Sequence, residues 1–389
     1  MKYYIIAGEA SGDLHGSNLM KGLYAEDPSA DIRFWGGSLM NAVYTEHQQG
    51  DGFVRDYKEG AVMGFSQILL HAGRHLKRIR ECCEDLLRFR PDAVILIDYP
   101  GFNFRIAEFA HKHGLKVFWY IAPKVWASRE RRIRKLKAYV DKLFIVFPFE
   151  KPYFDRKGVS YIYKGNPLVD AIDDTPVSPE SRTAFLTECG LPDRPVIALL
   201  AGSRKAEVRS MMPVVSAFAD QLHSLPQYKD YQFVLAGAPS RSQQDYAPWL
   251  AGREAYLKLV FGQTQSILRQ AEAAVINSGT ASLEACLTGT PQVVGYALSE
   301  INYQIGKRII KVKYISLGNL IADRLVFREL IQQDLNAGNL VAEIRRLIED
   351  REYRQTMLDG YREIRQALGG KGASFAVARS MIQELTKTN

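Results

Sequence analysis

The sequence is poor in cysteine and has no long apolar run. Its 389 residues include only four cysteines, none in a Cys-x-x-Cys pair or at a histidine spacing that suits zinc. This usage excludes a disulfide scaffold and a structural zinc site. No window approaches the ~20 apolar residues of a membrane-spanning helix, and the first apolar stretch, at 3–7, runs into a polar glycine loop. We therefore expect a cytoplasmic chain without signal peptide, transmembrane segment, metal or cofactor.

The charge has no strong excess of one sign overall, but it is unevenly distributed. The chain carries 51 basic and 43 acidic residues, a net charge of +8. Residues 1–165 hold 26 basic and 19 acidic residues, whereas 166–389 hold 25 and 24. A basic first half favours contact with an anionic surface or substrate. Nucleic acid is not an expected partner, because no binding motif and no basic stripe interleaved with aromatic residues accompanies the charge.

Short apolar segments alternate with amphipathic ones along the chain, which predicts parallel α/β layers. The first series of predicted strands lies at 3–7, 32–35, 93–97, 116–121 and 142–147, and the second at 195–200, 232–236, 273–276 and 292–294. Helices are predicted at 16–26, 66–89, 104–113, 130–139 and 373–386. Two such series in one chain predict two Rossmann-like parallel-sheet domains.

The domain boundary is predicted beside Gly165-Asn166-Pro167, where glycine and proline interrupt the periodicity. This gives an N-terminal domain at 1–168 and a C-terminal domain at 169–368. A final helix at 369–389 follows a glycine cluster, which leaves it able to pack back on the first domain.

Three glycine-containing loops follow predicted strands. Gly8-Glu9-Ala10-Ser11-Gly12-Asp13 lacks the GxGxxG fingerprint of dinucleotide sites, and it is either a plain strand-to-helix turn or a polar functional loop. In the second half, Gly202-Ser203-Arg204 and the segment 277–284 both follow strands. Arg204 offers a planar fork to phosphate oxygens, and Ser278 or Thr280 begins a helix whose N–H groups would face an anion. Together the last two loops favour a diphosphate site.

These loops belong to a set of segments that resembles the lipid-A-disaccharide synthases, glycosyltransferases of the GT-B type. The segments are GEASGD at 8–13, LIDYPGFN at 96–103, YIAPKVWA at 120–127, FPFE at 147–150, GNPL at 165–168, GSR at 202–204, SGTASLE at 278–284 and YISLGNLIADR at 314–324. The departures from the family pattern are Ala201, Asn166 and Gly318, where proline, histidine and proline are common. These departures affect the expected rigidity of the loops more than the expected reaction.

The resemblance implies two Rossmann-like domains that face each other across a cleft. It also implies an inverting transfer from UDP-2,3-diacylglucosamine to 2,3-diacylglucosamine 1-phosphate (lipid X), which yields a β-1,6-linked disaccharide 1-phosphate and UDP. It points to Asp98 as the general base, with Glu9 or Asp13 in reserve. The expected UDP-sugar contacts are Gly202, Ser203, Arg204, Ser278, Gly279, Thr280, Ser282, Glu284 and Asn319.

A membrane-facing segment is predicted in the basic half. Apolar residues precede Arg74, Lys77, Arg78 and Arg80, and this order suits a helix on an anionic bilayer surface. The run 129–142 adds seven basic and two acidic residues. We expect peripheral association with the inner face of the inner membrane, although a core-facing helix would give the same pattern. The residues expected to contact acyl chains or membrane are Met63, Phe65, Ile68, Leu69 and Leu70.

Two further possibilities stay open at the level of sequence. Another GT-B-like enzyme that uses UDP-N-acetylglucosamine, such as a 2-epimerase, would share the diphosphate loops and need no lipid acceptor. A homodimer is conceivable, because the terminal helix follows a glycine hinge.

Overall fold

Each of the two units of the chain is built on one parallel β-sheet. The first unit comprises Met1–Ala171 together with Leu368–Asn389, and the second comprises Ile172–Ala367. The structure, a computed structural model, describes residues 1–61, 68–172, 175, 177–297 and 312–387. For residues 60–61 and 68–72 it describes the backbone alone.

The first unit contains a seven-stranded sheet in the order β3-β2-β1-β4-β5-β6-β7. Its strands are β1 (Lys2–Ala7), β2 (Asp31–Gly36), β3 (Phe53–Asp56), β4 (Ala93–Ile97), β5 (Lys116–Tyr120), β6 (Lys142–Ile145) and β7 (Ile162–Tyr163). Its helices are α1 (Ala10–Glu26), α2 (Ser38–His47), α3 (Lys58–Ala61), α4 (Ile68–Phe89), α5 (Pro100–Lys112), α6 (Ile133–Tyr139), α7 (Glu150–Arg156) and α8 (Pro167–Ala171). The last helix of the chain, α17 (Ala373–Thr386), also packs in this unit.

The second unit contains a six-stranded sheet in the order β10-β9-β8-β11-β12-β13. Its strands are β8 (Val196–Leu200), β9 (Gln232–Gly237), β10 (Leu257–Phe261), β11 (Ala271–Asn277), β12 (Gln292–Tyr296) and β13 (Glu329–Ile331). Its helices are α9 (Pro179–Cys189), α10 (Lys205–His223), α11 (Ala247–Leu250), α12 (Thr264–Gln270), α13 (Thr280–Thr288), α14 (Leu317–Ala322), α15 (Ala337–Glu349) and α16 (Arg351–Leu368).

The central strands are buried on both faces, which explains their continuous apolar sequences. Every residue of β4 and of β8 is buried. Tyr4, Val94 and Trp119 lie in the core of the first unit, and Val196, Val234 and Ile276 lie in that of the second.

A carboxylate joins α17 to the first unit. Both oxygens of Asp170 accept backbone hydrogen bonds at the start of this helix, from Gly372 at 2.6 Å, Ala373 at 3.2 Å and Ser374 at 2.7 Å. A carboxylate at a helix N-terminus satisfies N–H groups that have no partner in the helix and complements the helix dipole. Arg379 of the same helix pairs with Glu26 of α1 at 2.6 Å. These contacts hold the end of the chain against α1.

All nine predicted strands are present, and so is the last helix, but several predicted boundaries are wrong. Helix α1 begins at Ala10 rather than at residue 16, and α5 begins at Pro100 rather than at 104. The short strands β3, β7, β10 and β13 were not predicted. The helix predicted at 130–139 is a 3-10 turn at Glu130–Arg132 followed by α6.

No helix formed by the described residues has the length and apolar character needed to cross a bilayer. Two of the expected membrane contacts, Met63 and Phe65, lie outside the described residues. Ile68, Leu69 and Leu70 lie in the first turn of α4, where only the backbone is described. The prediction that these side chains contact acyl chains stays a prediction.

Candidate active site

Each sheet has one point where the strand order reverses, and ligands of open α/β sheets bind beside the carboxyl ends of the strands there. In the first unit this point lies between β1 and β4, which pair with Ala7 opposite Ile97. The residues that follow directly are Gly8 and Glu9 on one side and Asp98 on the other. The structure therefore brings the two expected catalytic carboxylates to the same edge of the first sheet. Glu9 is exposed and Asp98 is half-buried.

The backbone around Asp98 is in a conformation that side chains disfavour. Asp98 has φ of 42° and Tyr99 has φ of 44°, so two consecutive residues other than glycine occupy the left-handed region. Each costs on the order of 1–3 kcal/mol and persists only because its surroundings enforce it. The amide of Asp98 donates to the carbonyl of Tyr120 at 3.2 Å, and Asn103 Nδ2 donates to the carbonyl of Asp98 at 2.9 Å. These bonds hold the strained turn, which carries the carboxylate out of the sheet.

The ring of Tyr99 lies directly against Gly8. A Cβ atom at residue 8 would sit 2.3 Å from two ring carbons of Tyr99, so only glycine fits there. The ring stacks on Phe102 with centroids 5.6 Å apart. Burial raises the pKa of Tyr99, the neighbouring Glu9 carboxylate raises it further, and Arg78 of α4 opposes both. Tyr99 thus packs between the two loops that present Glu9 and Asp98.

Asp13, the reserve candidate for the base, has a structural role. It is only 2% exposed, and its carboxylate accepts from the backbone amides of Gly37 at 2.8 Å, Leu39 at 3.1 Å and Met40 at 3.0 Å. These amides belong to the start of α2, which has no side-chain cap of its own. The prediction that Asp13 could serve as the base is therefore corrected, because its oxygens are committed to capping α2.

In the second unit the strand order reverses between β8 and β11. The loop after β8 contains Gly202, Ser203 and Arg204, and the loop after β11 contains Ser278, Gly279 and Thr280. The structure therefore brings the two predicted diphosphate loops together at the carboxyl edge of one sheet. This is the position at which parallel α/β sheets bind nucleotides.

Glu207, which was not among the predicted site residues, supports the first of these loops. Its carboxylate accepts from the amides of Ser203 at 3.0 Å and Arg204 at 3.1 Å, and it pairs with Arg204 Nη1 at 3.4 Å. Gly202 has φ of 98°, and a Cβ atom there would lie 2.7 Å from Glu207. Arg204 itself is exposed and immediately precedes α10. A glutamate three residues after a helix N-cap is the sequence signal that could have identified Glu207.

The second loop begins α13 without a side-chain cap. Gly279 occupies the N-cap position and is exposed. The hydroxyl of Ser278 donates to the carbonyl of Ile315 at 2.9 Å, and Thr280 is half-exposed. One turn further, burial raises the pKa of Glu284. The start of this helix can therefore offer backbone N–H groups and the positive end of its dipole to an anion.

Two of the predicted sugar-nucleotide contacts are buried within the protein instead. Ser282 is fully buried, and its hydroxyl donates to the carbonyl of Gly279 at 2.8 Å. Asn319 is also fully buried. Its amide nitrogen donates to Glu329 at 2.9 Å and its oxygen accepts from the amide of Val326 at 2.8 Å. The polar atoms of both side chains form hydrogen bonds within the second unit, so neither side chain is included in the candidate donor site.

Within the parts of the chain that the structure describes, no group of three or more His, Cys, Asp or Glu side chains could hold a metal ion. The four cysteines are free. The polar groups at the two sheet edges are carboxylates in the first unit and, in the second, an arginine and a helix N-terminus. This chemistry suits a base in the first unit and an anion site in the second.

Comparison with known proteins identifies the family of the chain. Residues 3–378 match the family model described as lipid-A-disaccharide synthetase. The lipid-A-disaccharide synthase of Trichlorobacter lovleyi is 36% identical over 375 residues, which cover 96% of this chain and 95% of that protein. The enzyme of the same name from Geobacter sulfurreducens is 36% identical over 383 residues and covers 98% and 97%, respectively.

Solved structures share the fold at much lower identity. The UDP-GlcNAc 2-epimerase of Neisseria meningitidis, bound to UDP-GlcNAc, superposes with a TM-score of 0.69 at 15% identity, covering 98% of this chain and all of that one. The MnaA–UDP structure from S. aureus also gives 0.69 at 15% identity, with 99% and 97% covered. The chain therefore belongs to the lipid-A-disaccharide synthase family and is a glycosyltransferase of the GT-B fold class that acts in lipid A biosynthesis.

Proposed function

We propose that the protein transfers 2,3-diacylglucosamine from UDP to the 6-hydroxyl of 2,3-diacylglucosamine 1-phosphate, with inversion at the anomeric carbon. The bond between the anomeric carbon and the UDP oxygen breaks, and UDP keeps the electron pair. A new bond forms from the acceptor O6 to the opposite face of that carbon. The hydroxyl proton passes to a base on the enzyme. The products are the β-1,6-linked disaccharide 1-phosphate and UDP.

Asp98 is the proposed base. A general base must present its oxygen to the reacting hydroxyl, and the strained turn at Asp98 carries a half-buried carboxylate beyond the end of β4. Glu9 lies on the facing loop after β1 and is the reserve candidate. The strain supports the assignment, because such conformations cluster at active sites.

Arg204 and the start of α13 are the proposed anion site for the leaving UDP. The guanidinium lies at the carboxyl end of β8, and the uncapped N–H groups of Gly279 and Thr280 lie at the end of the neighbouring β11. Charge that develops on the leaving phosphate would be stabilised by these preorganised donors. We propose that no metal ion is needed, because arginine and a helix dipole supply the positive charge.

The observation that carries the proposal is the placement of carboxylates and anion-binding loops at the reversal points of two sheets in one chain of this family. The test is incubation of the purified protein with both acylated substrates and excess EDTA. We expect release of UDP together with a tetraacyl disaccharide, and none of either when one substrate is omitted. Absence of UDP release from the complete mixture would refute the proposed reaction.

A UDP-N-acetylglucosamine 2-epimerase is the second candidate, favoured by the structural likeness to enzymes of that name. Such an enzyme would need no lipid. Conversion of UDP-N-acetylglucosamine by the protein alone, followed by proton NMR of the sugar, would support it. Lack of conversion under conditions that release UDP from the acylated donor would exclude it.

Peripheral membrane binding through α4 completes the proposal, because both substrates carry acyl chains. Arg74, Lys77 and Arg80 are exposed along this helix and would face anionic headgroups. Replacing Ile68, Leu69 and Leu70 with serine should release the protein from anionic vesicles and leave its thermal unfolding unchanged. Unfolding of the variant would mean that these side chains belong to the core.

A further inference from the structure

Arg129 and Arg132, on the segment that follows β5, have no carboxylate partner among the described residues. Arg132 is half-buried, and its guanidinium lies 5.4 Å from the centroid of the Phe104 ring in α5. Arg129 precedes it on the same 3-10 turn and is held in the left-handed region at φ of 57°. Among the described residues, no carboxylate oxygen lies within 4.0 Å of either guanidinium, and no protein acceptor takes a hydrogen bond from either side chain.

The nearby carboxylates are paired with other cations. Glu130, between the two arginines, pairs with Lys157 at 2.7 Å. Glu108 of α5 pairs with Lys112 at 2.9 Å and Lys135 at 3.6 Å. The positive charge of the arginine pair therefore stays uncompensated although acidic residues lie close by in sequence and in the fold.

An uncompensated pair of cations is costly where one member is partly desolvated. Burial lowers the pKa of Arg132, and the charge of Arg129 lowers it further. The aromatic face of Phe104 holds the planar guanidinium but does not satisfy its N–H donors. The structure thus keeps two like charges together at a strained turn, an arrangement that an anionic ligand would stabilise.

The arginine pair belongs to a segment that leaves the first sheet at the same edge as Asp98. The segment that carries it leaves the carboxyl end of β5, which pairs with β4, and the amide of Asp98 contacts the last residue of β5. Phe104 is four residues beyond the first residue of α5, or about 6 Å along the helix axis. Arg129 and Arg132 therefore belong to the part of the first unit that follows the carboxyl ends of β4 and β5, the edge at which an acceptor with its hydroxyl at Asp98 would bind.

We propose that Arg129 and Arg132 bind the phosphate monoester of the acceptor sugar. This inference rests on the proposed function, since it concerns the acceptor of that reaction. Two guanidinium groups provide paired N–H donors that match phosphate oxygens. The pair selects an acceptor that carries an anomeric phosphate over the same sugar with a free anomeric hydroxyl.

The test compares two acceptors with two proteins. The acceptors are 2,3-diacylglucosamine 1-phosphate and 2,3-diacylglucosamine, and the proteins are the wild type and Arg132→Gln, in detergent micelles. We expect Arg132→Gln to lower kcat/KM for the phosphorylated acceptor roughly 10- to 100-fold, the size of a lost charge-assisted contact. With the unphosphorylated acceptor the two proteins should differ by less than about threefold. Equal losses with both acceptors would overturn the proposal.

Controls separate charge, fold and geometry. Arg156 is an exposed arginine of α7 in the same unit, with no carboxylate within 4.0 Å among the described side chains. Arg156→Gln therefore removes the same charge and should leave the ratio of kcat/KM for the two acceptors unchanged. Arg132→Lys keeps the charge and loses the planar fork, and it should restore only part of the selectivity. If Arg132→Gln does not fold, Arg129→Gln on the exposed side of the pair must show the same selectivity loss.

Equilibrium binding of each acceptor to the same proteins, without donor, tests the inference even if turnover fails. Wild type that binds the phosphorylated acceptor but releases no UDP would refute the proposed function and leave the arginine site supported. Vesicles of phosphatidylglycerol provide the last arm. If Arg129→Gln and Arg132→Gln weaken vesicle binding but do not change acceptor selectivity, the ligand is a membrane headgroup and the proposal is wrong.

Discussion

Replacing Asp13 by alanine should destabilise the first unit strongly. The carboxylate accepts three backbone hydrogen bonds from the start of α2, two of them buried. An unsatisfied buried N–H group costs about 1–3 kcal/mol, and water can reach only the third amide, that of Leu39, which is partly buried. We therefore expect a loss of about 3–5 kcal/mol, a large part of the 5–15 kcal/mol typical of a folded domain.

The assay can be confined to the unit that contains Asp13. Of the four tryptophans, only Trp249 lies in the second unit. In a Trp249→Phe background, urea unfolding followed by tryptophan fluorescence therefore reports on the first unit alone. Ser11→Ala, an exposed change in the same turn of α1, is the matched control and should shift the midpoint little. If Asp13→Ala unfolds like the wild type but loses activity, Asp13 acts in the chemistry and its assignment as a helix cap is wrong.

Three further predictions test other parts of the site. Burial raises the pKa of Glu150 to about 7 from 4.5. The folded state therefore binds more protons than the unfolded state between these pH values, and the stability of the wild type relative to Glu150→Gln should fall as pH rises from 4.5 to 7. A difference in urea midpoints that does not change with pH would contradict this. Arg204→Ala should weaken UDP binding roughly 10- to 100-fold by calorimetry, and near-normal affinity would exclude Arg204 from the anion site. Gly8→Ala should displace Tyr99 and reduce kcat at least tenfold. In Gly101→Ala the new Cβ atom meets no atom within 4 Å, so this control should leave kcat unchanged. Equal kcat values for the two variants would show that the contact between residue 8 and Tyr99 is not needed.

The central strands could be predicted because they are buried on both faces and read as continuous apolar runs. The strands that were missed have no such run. In β3 only Phe53 and Val54 are apolar, β7 has two residues and β13 has three. In β10, at one edge of its sheet, Lys258 interrupts the apolar residues and only Leu257 is buried. Short edge strands owe their conformation to pairing with a neighbour, which the sequence of the strand itself does not record.

The helix starts show a second limit. The sequence predicts a loop at 8–13 because its glycines permit a sharp turn after the strand, yet residues 10–13 form the first turn of α1. Gly12 fits there because a Cβ atom at residue 12 would lie 3.2 Å from the Cβ of Ala7, and Asp13 is buried because it caps α2. Both reasons are tertiary. In α5, by contrast, Pro100 at the first helical position was a signal present in the sequence, since proline is favoured there.

The candidate site was predictable in its position but not in its detail. Strand ends followed by polar loops placed Asp98 and Arg204 at sheet edges. The left-handed turn at Asp98 and Tyr99 depends on contacts with Gly8 and Tyr120 from other segments, so no local pattern predicts it. Asn319 resembled a ligand contact in sequence, and only the structure shows that its polar atoms are used within the second unit.

The most direct measurement compares UDP release and UDP affinity in Asp98→Asn. Asparagine tolerates the left-handed backbone found at residue 98, so this substitution removes the base with the least disturbance of the turn. If Asp98 accepts the acceptor's proton, the rate of UDP release falls by at least 100-fold, within the range for loss of a general base, while the dissociation constant for UDP stays within about twofold. Release of UDP at the wild-type rate by a correctly folded Asp98→Asn protein would contradict that role.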